Sequence, residues 1–161
     1  MNPRLFISLL LLSLCMPLLA ASSFNDPNGH YRLPVPDGWQ VTQQKNGVSL
    51  IKGDAYASLM HFQGSGSPQG LVEAIARQFT SQWKGFDGAS SSACQLAGQA
   101  GFCAWYSGRN PKDIEAVLEL AGTTDANSGY VLVISSPRKE FGTLKKTFER
   151  IKRGFALTGA D

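Results

Sequence analysis

Two cysteines bracket the stretch Cys94-Gln95-Leu96-Ala97-Gly98-Gln99-Ala100-Gly101-Phe102-Cys103 near the middle of the chain. Small and turn-forming residues at its centre predict a β-hairpin. Glycine in the first central position of a Gly98-Gln99 turn suits type II′. Ala97 then opposes Ala100, Leu96 opposes Gly101, Gln95 opposes Phe102, and Cys94 meets Cys103 in a non-hydrogen-bonded pair. Such pairs bring Cα atoms to about 4.5 Å, within reach of a disulfide. Nothing cationic flanks either cysteine and the CxxC spacing of redox pairs is absent, so Cys94 and Cys103 read as a structural staple. A short closed loop of this kind contributes roughly 2–3 kcal/mol.

A disulfide needs an oxidising compartment, and the N-terminus supplies a route to one. Arg4 precedes an apolar run from Leu5 to Leu19, and Ala20-Ala21-Ser22-Ser23 offers small residues for cleavage. Residues 1–22 read as a signal peptide. The run is shorter than the roughly 20 apolar residues of a membrane anchor. Cys15 follows Leu14 rather than a small residue, which argues against a lipobox. Loss of Arg4 leaves 14 of the 15 basic side chains against 12 acidic ones. That balance is too mild to imply nucleic acid. With 43% hydrophobic and 17% charged residues, residues 23–161 suffice for one packed domain.

Along that domain the hydrophobic period changes twice. His30–Val35, Trp39–Thr42, Val48–Ile51 and Ala57–Phe62 read as short extended pieces separated by Pro36-Asp37-Gly38, Lys45-Asn46-Gly47 and Gly53-Asp54 turns. Ser67-Pro68 then signals a helix start. Leu71, Val72, Ile75, Ala76, Phe79 and Trp83 define its apolar face. After the hairpin, Ile114–Gly122 alternates, with Glu115 and Glu119 opposite Ile114, Ala116, Leu118 and Leu120. Tyr130–Ile134 is the continuous apolar run of a central strand. Ser136-Pro137 repeats the helix signal, followed by a stripe of Phe141, Leu144, Phe148, Ile151 and Phe155. The expectation is an α+β fold, an antiparallel sheet with helices packed on both faces.

The Leu33-Pro34-Val35-Pro36-Asp37-Gly38-Trp39 opening resembles that of a known family, as do the first helix, the hairpin at Gly98 and the Gly129-Tyr130-Val131-Leu132-Val133-Ile134-Ser135-Ser136-Pro137 run before a closing helix. This order is similar to the PsbP-like α/β/α sandwich superfamily, which includes PsbP, the Ran-binding factor Mog and exported bacterial DcrB-like proteins. The resemblance covers about residues 30–157. It implies the sandwich fold and a non-enzymatic binding or assembly role, and it carries over no partner-binding residue.

The residues themselves offer little chemistry. His30 and His61 are too few for a catalytic zinc site, which takes three protein ligands, and no GxSxG elbow occurs. Gly64-Ser65-Gly66-Ser67 lacks a Walker lysine and reads as a loop. No cofactor or metal is expected. The last helix is basic: Arg138, Lys139, Lys145, Lys146, Arg150, Lys152 and Arg153 face only Glu140 and Glu149. The ordinary reading is a solvated face. The functional reading is a docking surface for an acidic protein or an anionic envelope surface, with Lys145, Lys146, Arg150 and Arg153 as its candidate residues. The expected function is thus a secreted or periplasmic accessory protein, and the alternative is a small hydrolase or ligand carrier using a cleft between sheet and helix.

Overall fold

The computed structural model describes residues 22–64 and 66–159. The expected signal peptide and Cys15 lie outside them. Five strands come first: β1 Ser23–Asn25, β2 Tyr31–Pro34, β3 Gln40–Gln44, β4 Gly47–Lys52 and β5 Ala55–Gln63. Helix α1, Pro68–Gln82, follows. The hairpin β6 Lys84–Leu96 and β7 Gln99–Arg109 leads to β8 Glu115–Thr124 and β9 Ser128–Pro137. Helix α2, Arg138–Gly154, and a short β10, Ala156–Leu157, complete the chain.

The main sheet has seven strands in the order β3-β4-β5-β9-β8-β7-β6, every pair antiparallel. β9 sits at its centre and is buried along its whole length, as its unbroken apolar run requires. Alternation divides the rest of the sheet between two cores. Ala104, Leu118, Leu120, Val131 and Val133 face α1 and meet Val72, Ile75 and Trp83. Cys103, Ala121, Leu132 and Ile134 face the other way and meet Phe148 and Ile151 of α2. The helices therefore cover opposite faces, as expected. A second sheet, β1-β2-β10, closes the α2 side. There Tyr31 packs edge-on against Tyr130 and Phe155. Neither β1 nor β10 is among the expected extended pieces. Strands this short carry too little periodicity to detect.

Helix α1 begins where the Ser67-Pro68 signal places it. The Ser67 hydroxyl accepts the Gly70 amide at 3.0 Å and Pro68 takes the first turn. The second Ser-Pro pair behaves differently. β9 remains paired with β8 through Ala116 and Pro137, so Ser136 is a fully buried strand residue and caps nothing. The helix starts at Arg138, without a side-chain cap.

The start of α1 sits directly on β8 at Gly122. A Cβ there would stand 2.8 Å from the Pro68 carbonyl and from Val72 Cγ2. Neither neighbour is a flexible chain end. Gly122→Ala should therefore cost about 1–3 kcal/mol, read as a lowered thermal midpoint in calorimetry.

The hairpin carries its disulfide, Cys94 to Cys103, with Cα atoms 5.8 Å apart. Its register differs from the expected one. The turn is Ala97-Gly98, with φ of 53° and 75°, and Leu96 pairs with Gln99. Two positive φ angles make this a type I′ turn, with glycine in the second central position rather than the first. Cys94 consequently faces Gly101 and Cys103 faces Ser92. The bond runs diagonally across the ladder rather than straight between opposed residues.

Candidate docking surface and cleft

Helix α2 buries the stripe that the sequence marks. Phe148 and Ile151 are fully enclosed, and Phe141 and Leu144 pack at the margin of the same core. The opposite side faces solvent. At about 100° per residue, Lys139, Lys146, Arg150 and Arg153 fall within an arc of about 60° centred away from the core. All four are exposed. None of them is ion-paired to an acid among the described residues; the Arg153 guanidinium donates only to the Glu149 carbonyl, at 3.4 Å.

Three of the four candidate docking residues, Lys146, Arg150 and Arg153, thus share one crest, and Lys139 extends it by two turns. Lys145 is about 100° around the helix from Lys146. It stands over a notch walled by Trp105, Phe141 and Phe148, not on the crest. Lys152 leaves the basic surface altogether. Its ammonium donates to Glu119 at 2.7 Å and lies 2.8 Å from Glu149. Glu119 is 2% exposed: the polar side of β8 is the floor beneath α2, and the acid there is paired by a lysine from above. Burial alone would lower the Lys152 ammonium, but hydrogen bonds to Glu119 and Glu149 outweigh it and hold its pKa above the ordinary value. Period-two alternation predicts which side of the strand Glu119 occupies and cannot show that a helix covers that side.

On the other face α1 lies over β7, β8 and β9 and leaves β3, β4 and β5 uncovered. The result is an open cleft of about 670 Å³. Ser49, Ile51, Tyr56, Ser58 and Met60 form its floor, and Ile75 and Phe79 of α1, with Trp83 just past its end, form its wall. At one end the turns before β5 and β8 are tied by Lys112 and Asp54, 2.7 Å apart. A hydrogen-bond chain crosses the floor. Gln44 Nε2 donates to Ser49 Oγ at 2.8 Å, and Ser49 lies 2.8 Å from Ser58, whose hydroxyl donates to the Val48 carbonyl. Burial pushes the Tyr56 phenol up to about 12, with a hydrogen bond to Ser135 acting the other way.

The two histidines meet near the end of β5. His30 and His61 have ring centroids 4.6 Å apart, and His61 stacks on Tyr130 at 5.1 Å. His61 Nε2 lies 3.0 Å from the Ser128 hydroxyl, and Tyr130 donates to Asp125 at 2.9 Å. Burial, then the neighbouring His30, lowers the His61 pKa, against the opposing pull of Asp26 and Asp125. The His61 ring is packed between His30 and Tyr130. Among the described residues no group of three or more His, Cys, Asp or Glu side chains could hold a metal ion. No helix among them is long and apolar enough to cross a membrane.

No protein-family model and no curated protein sequence matches the chain. Solved structures do. Cyanobacterial PsbP from Synechocystis superposes with a TM-score of 0.65 at 16% identity, covering 91% of this chain and 98% of that one. LpqN of Mycobacterium tuberculosis, described as involved in cell envelope biogenesis, gives 0.54 at 16% identity, over 85% and 90% of the two chains. A protein of Bacteroides thetaiotaomicron gives 0.59 at 12% identity over 85% of this chain and 48% of that one. At these identities the likeness is one of fold. With its central antiparallel sheet, α1 and α2 on opposite faces and these structural neighbours, the chain has the PsbP-like α/β/α sandwich fold.

Proposed function

We propose that this is an exported, non-enzymatic accessory protein that docks an acidic protein partner on the exposed crest of α2. The observation that carries the reading is the row Lys139, Lys146, Arg150 and Arg153, four cations on one face with no ion-paired acid among the described residues. The acids of that helix stand aside: Glu149 is bonded to Lys152, and Glu140 lies on the flank. Export is supported by the signal-like N-terminus and by the disulfide, which persists in oxidising compartments. The fold shared with a protein of envelope biogenesis supports an accessory role.

A protein partner is favoured over a lipid surface by what α2 does with its apolar side. Phe148 and Ile151 are committed to the core, so nothing remains to insert among acyl chains. Attraction of four cations to anionic lipid would give about 1 kcal/mol each, a millimolar association. The same row set against matched carboxylates on a protein gains both affinity and rate of encounter.

Charge reversal tests this. Lys146→Glu, Arg150→Glu and Arg153→Glu together should leave the fold intact, since all three are exposed, and should abolish capture of the partner by the tagged protein from envelope extracts. Capture by the unmodified protein should weaken steeply as salt shortens the Debye length from about 10 Å towards 3 Å. Capture that survives both the triple reversal and high salt would refute the docking crest. Sedimentation with phosphatidylglycerol vesicles, lost on reversal while no protein is captured, would replace the protein partner by a lipid one.

A further inference from the structure

The cleft on the α1 face is independent of the docking crest, which lies on the opposite side of the sheet. Its volume of about 670 Å³ lies within the range of small-molecule sites, about 300–1,000 Å³. Two properties of its lining define an occupant. The first is the absence of uncompensated charge. Among the described residues Asp54 and Lys112 are the charged ones that line it, and they are paired to each other at its end. An ionic ligand would lose hydration without gaining a counter-charge. The second is the separation of apolar and polar groups. Ile51, Met60, Ile75 and the rings of Phe79 and Tyr56 supply a broad apolar surface, and Ile51 is among the few large apolar side chains left exposed in the fold.

The polar groups are grouped on the floor and have a direction. Gln44 donates to Ser49, Ser49 to Ser58, and Ser58 to a backbone carbonyl. Read in that order, the chain uses up the hydroxyl protons and leaves the exposed amide of Gln44 with a free carbonyl oxygen and a second N–H. That end of the network can accept from or donate to a neutral group, and Gln44 lines the cleft together with the apolar residues.

We propose that this cleft binds a neutral, amphipathic small molecule, its apolar body on Ile51, Met60 and Phe79 and a hydroxyl, carbonyl or amide group on Gln44. The polar groups that meet the ligand are hydroxyls and amides. The titratable groups facing it are Asp54, Lys112 and Tyr56, and burial pushes the Tyr56 phenol up to about 12. Binding should accordingly be flat across neutral pH.

A pair of fluorescent probes with one ring skeleton tests the proposal: uncharged N-phenylnaphthylamine and its sulfonated analogue, anilinonaphthalene sulfonate. The neutral probe should fluoresce on binding and shift the methyl NMR signals of Met60 and Ile75. Gln82→Trp, which fills the cleft from an exposed helix position, and Ile51→Glu, which places a charge on its floor, should each weaken it about tenfold or more, a difference of about 1.4 kcal/mol. The sulfonated probe should leave those methyl signals unmoved. Failure of the neutral probe to bind, methyl shifts confined to other parts of the fold, or equal occupancy by the sulfonate would each overturn the proposal. The methyl map on the unmodified protein decides the matter even if a variant misfolds.

Discussion

Lys152→Met should lower the unfolding free energy by about 3 kcal/mol, the low end for a broken buried ion pair. The variant leaves Glu119 at 2% exposure without its cation. The low end applies because the lysine side chain retains 18% exposure, so water softens part of the loss. The paired variant Lys152→Met with Glu119→Leu removes the orphaned carboxylate and should recover most of the stability. The sign of the pH dependence follows from the raised Lys152 pKa. A lysine whose pKa is higher folded than unfolded stabilises fully below its unfolded value of 10.5 and loses that contribution as pH rises through the folded value. Urea denaturation of the unmodified protein should thus show a loss of stability on the alkaline side of 10.5 that Lys152→Met does not share. Equal stability of the single variant and the parent at neutral pH would mean that the triad of Glu119, Lys152 and Glu149 holds nothing together.

Replacing both cysteines, Cys94→Ala with Cys103→Ala, should cost about 2–3 kcal/mol, chiefly through the freedom returned to the unfolded chain. For a domain of this size that lowers the thermal midpoint by about 10 °C. Cys103 is buried and Cys94 packs beside it, so alanine fits without strain. Reductant should shift the parent to the same midpoint and leave the double variant unchanged. Calorimetry with and without reductant separates this staple from a redox pair, whose removal would leave the midpoint almost where it was.

These two features were legible in the sequence to different depths. The disulfide was readable because parity alone puts both cysteines on one side of the ribbon. The register was not. Pairing Cys94 with Cys103 and pairing it with Gly101 place the same side chains on the same faces, so hydrophobic alternation cannot separate them. Only the turn decides, and there Ala97 takes a left-handed conformation that its residue type does not advertise. The layers were readable from period: the buried run of β9 and the two helical stripes fixed the order sheet, helix, sheet, helix. The docking crest was readable as a basic helix but not as a row. Helical geometry separates Lys145 from Lys146, and only the fold reveals that Lys152 turns inward to Glu119. The cleft was legible only as a sheet–helix cleft in the alternative reading, without a lining residue, because its place depends on the offset of α1 from β3, β4 and β5 and no local pattern encodes that offset.

The central claim is that the α2 crest is the working surface. A photo-cross-linking residue at Thr143, exposed beside the crest, leaves all four cations in place. The same residue at Gln69, exposed on α1, is the control. Irradiation in cells should give a discrete adduct with one acidic protein from Thr143 and none from Gln69, and the adduct should vanish with Lys146→Glu, Arg150→Glu and Arg153→Glu. No adduct from Thr143, or equal adducts from both positions, would contradict the account.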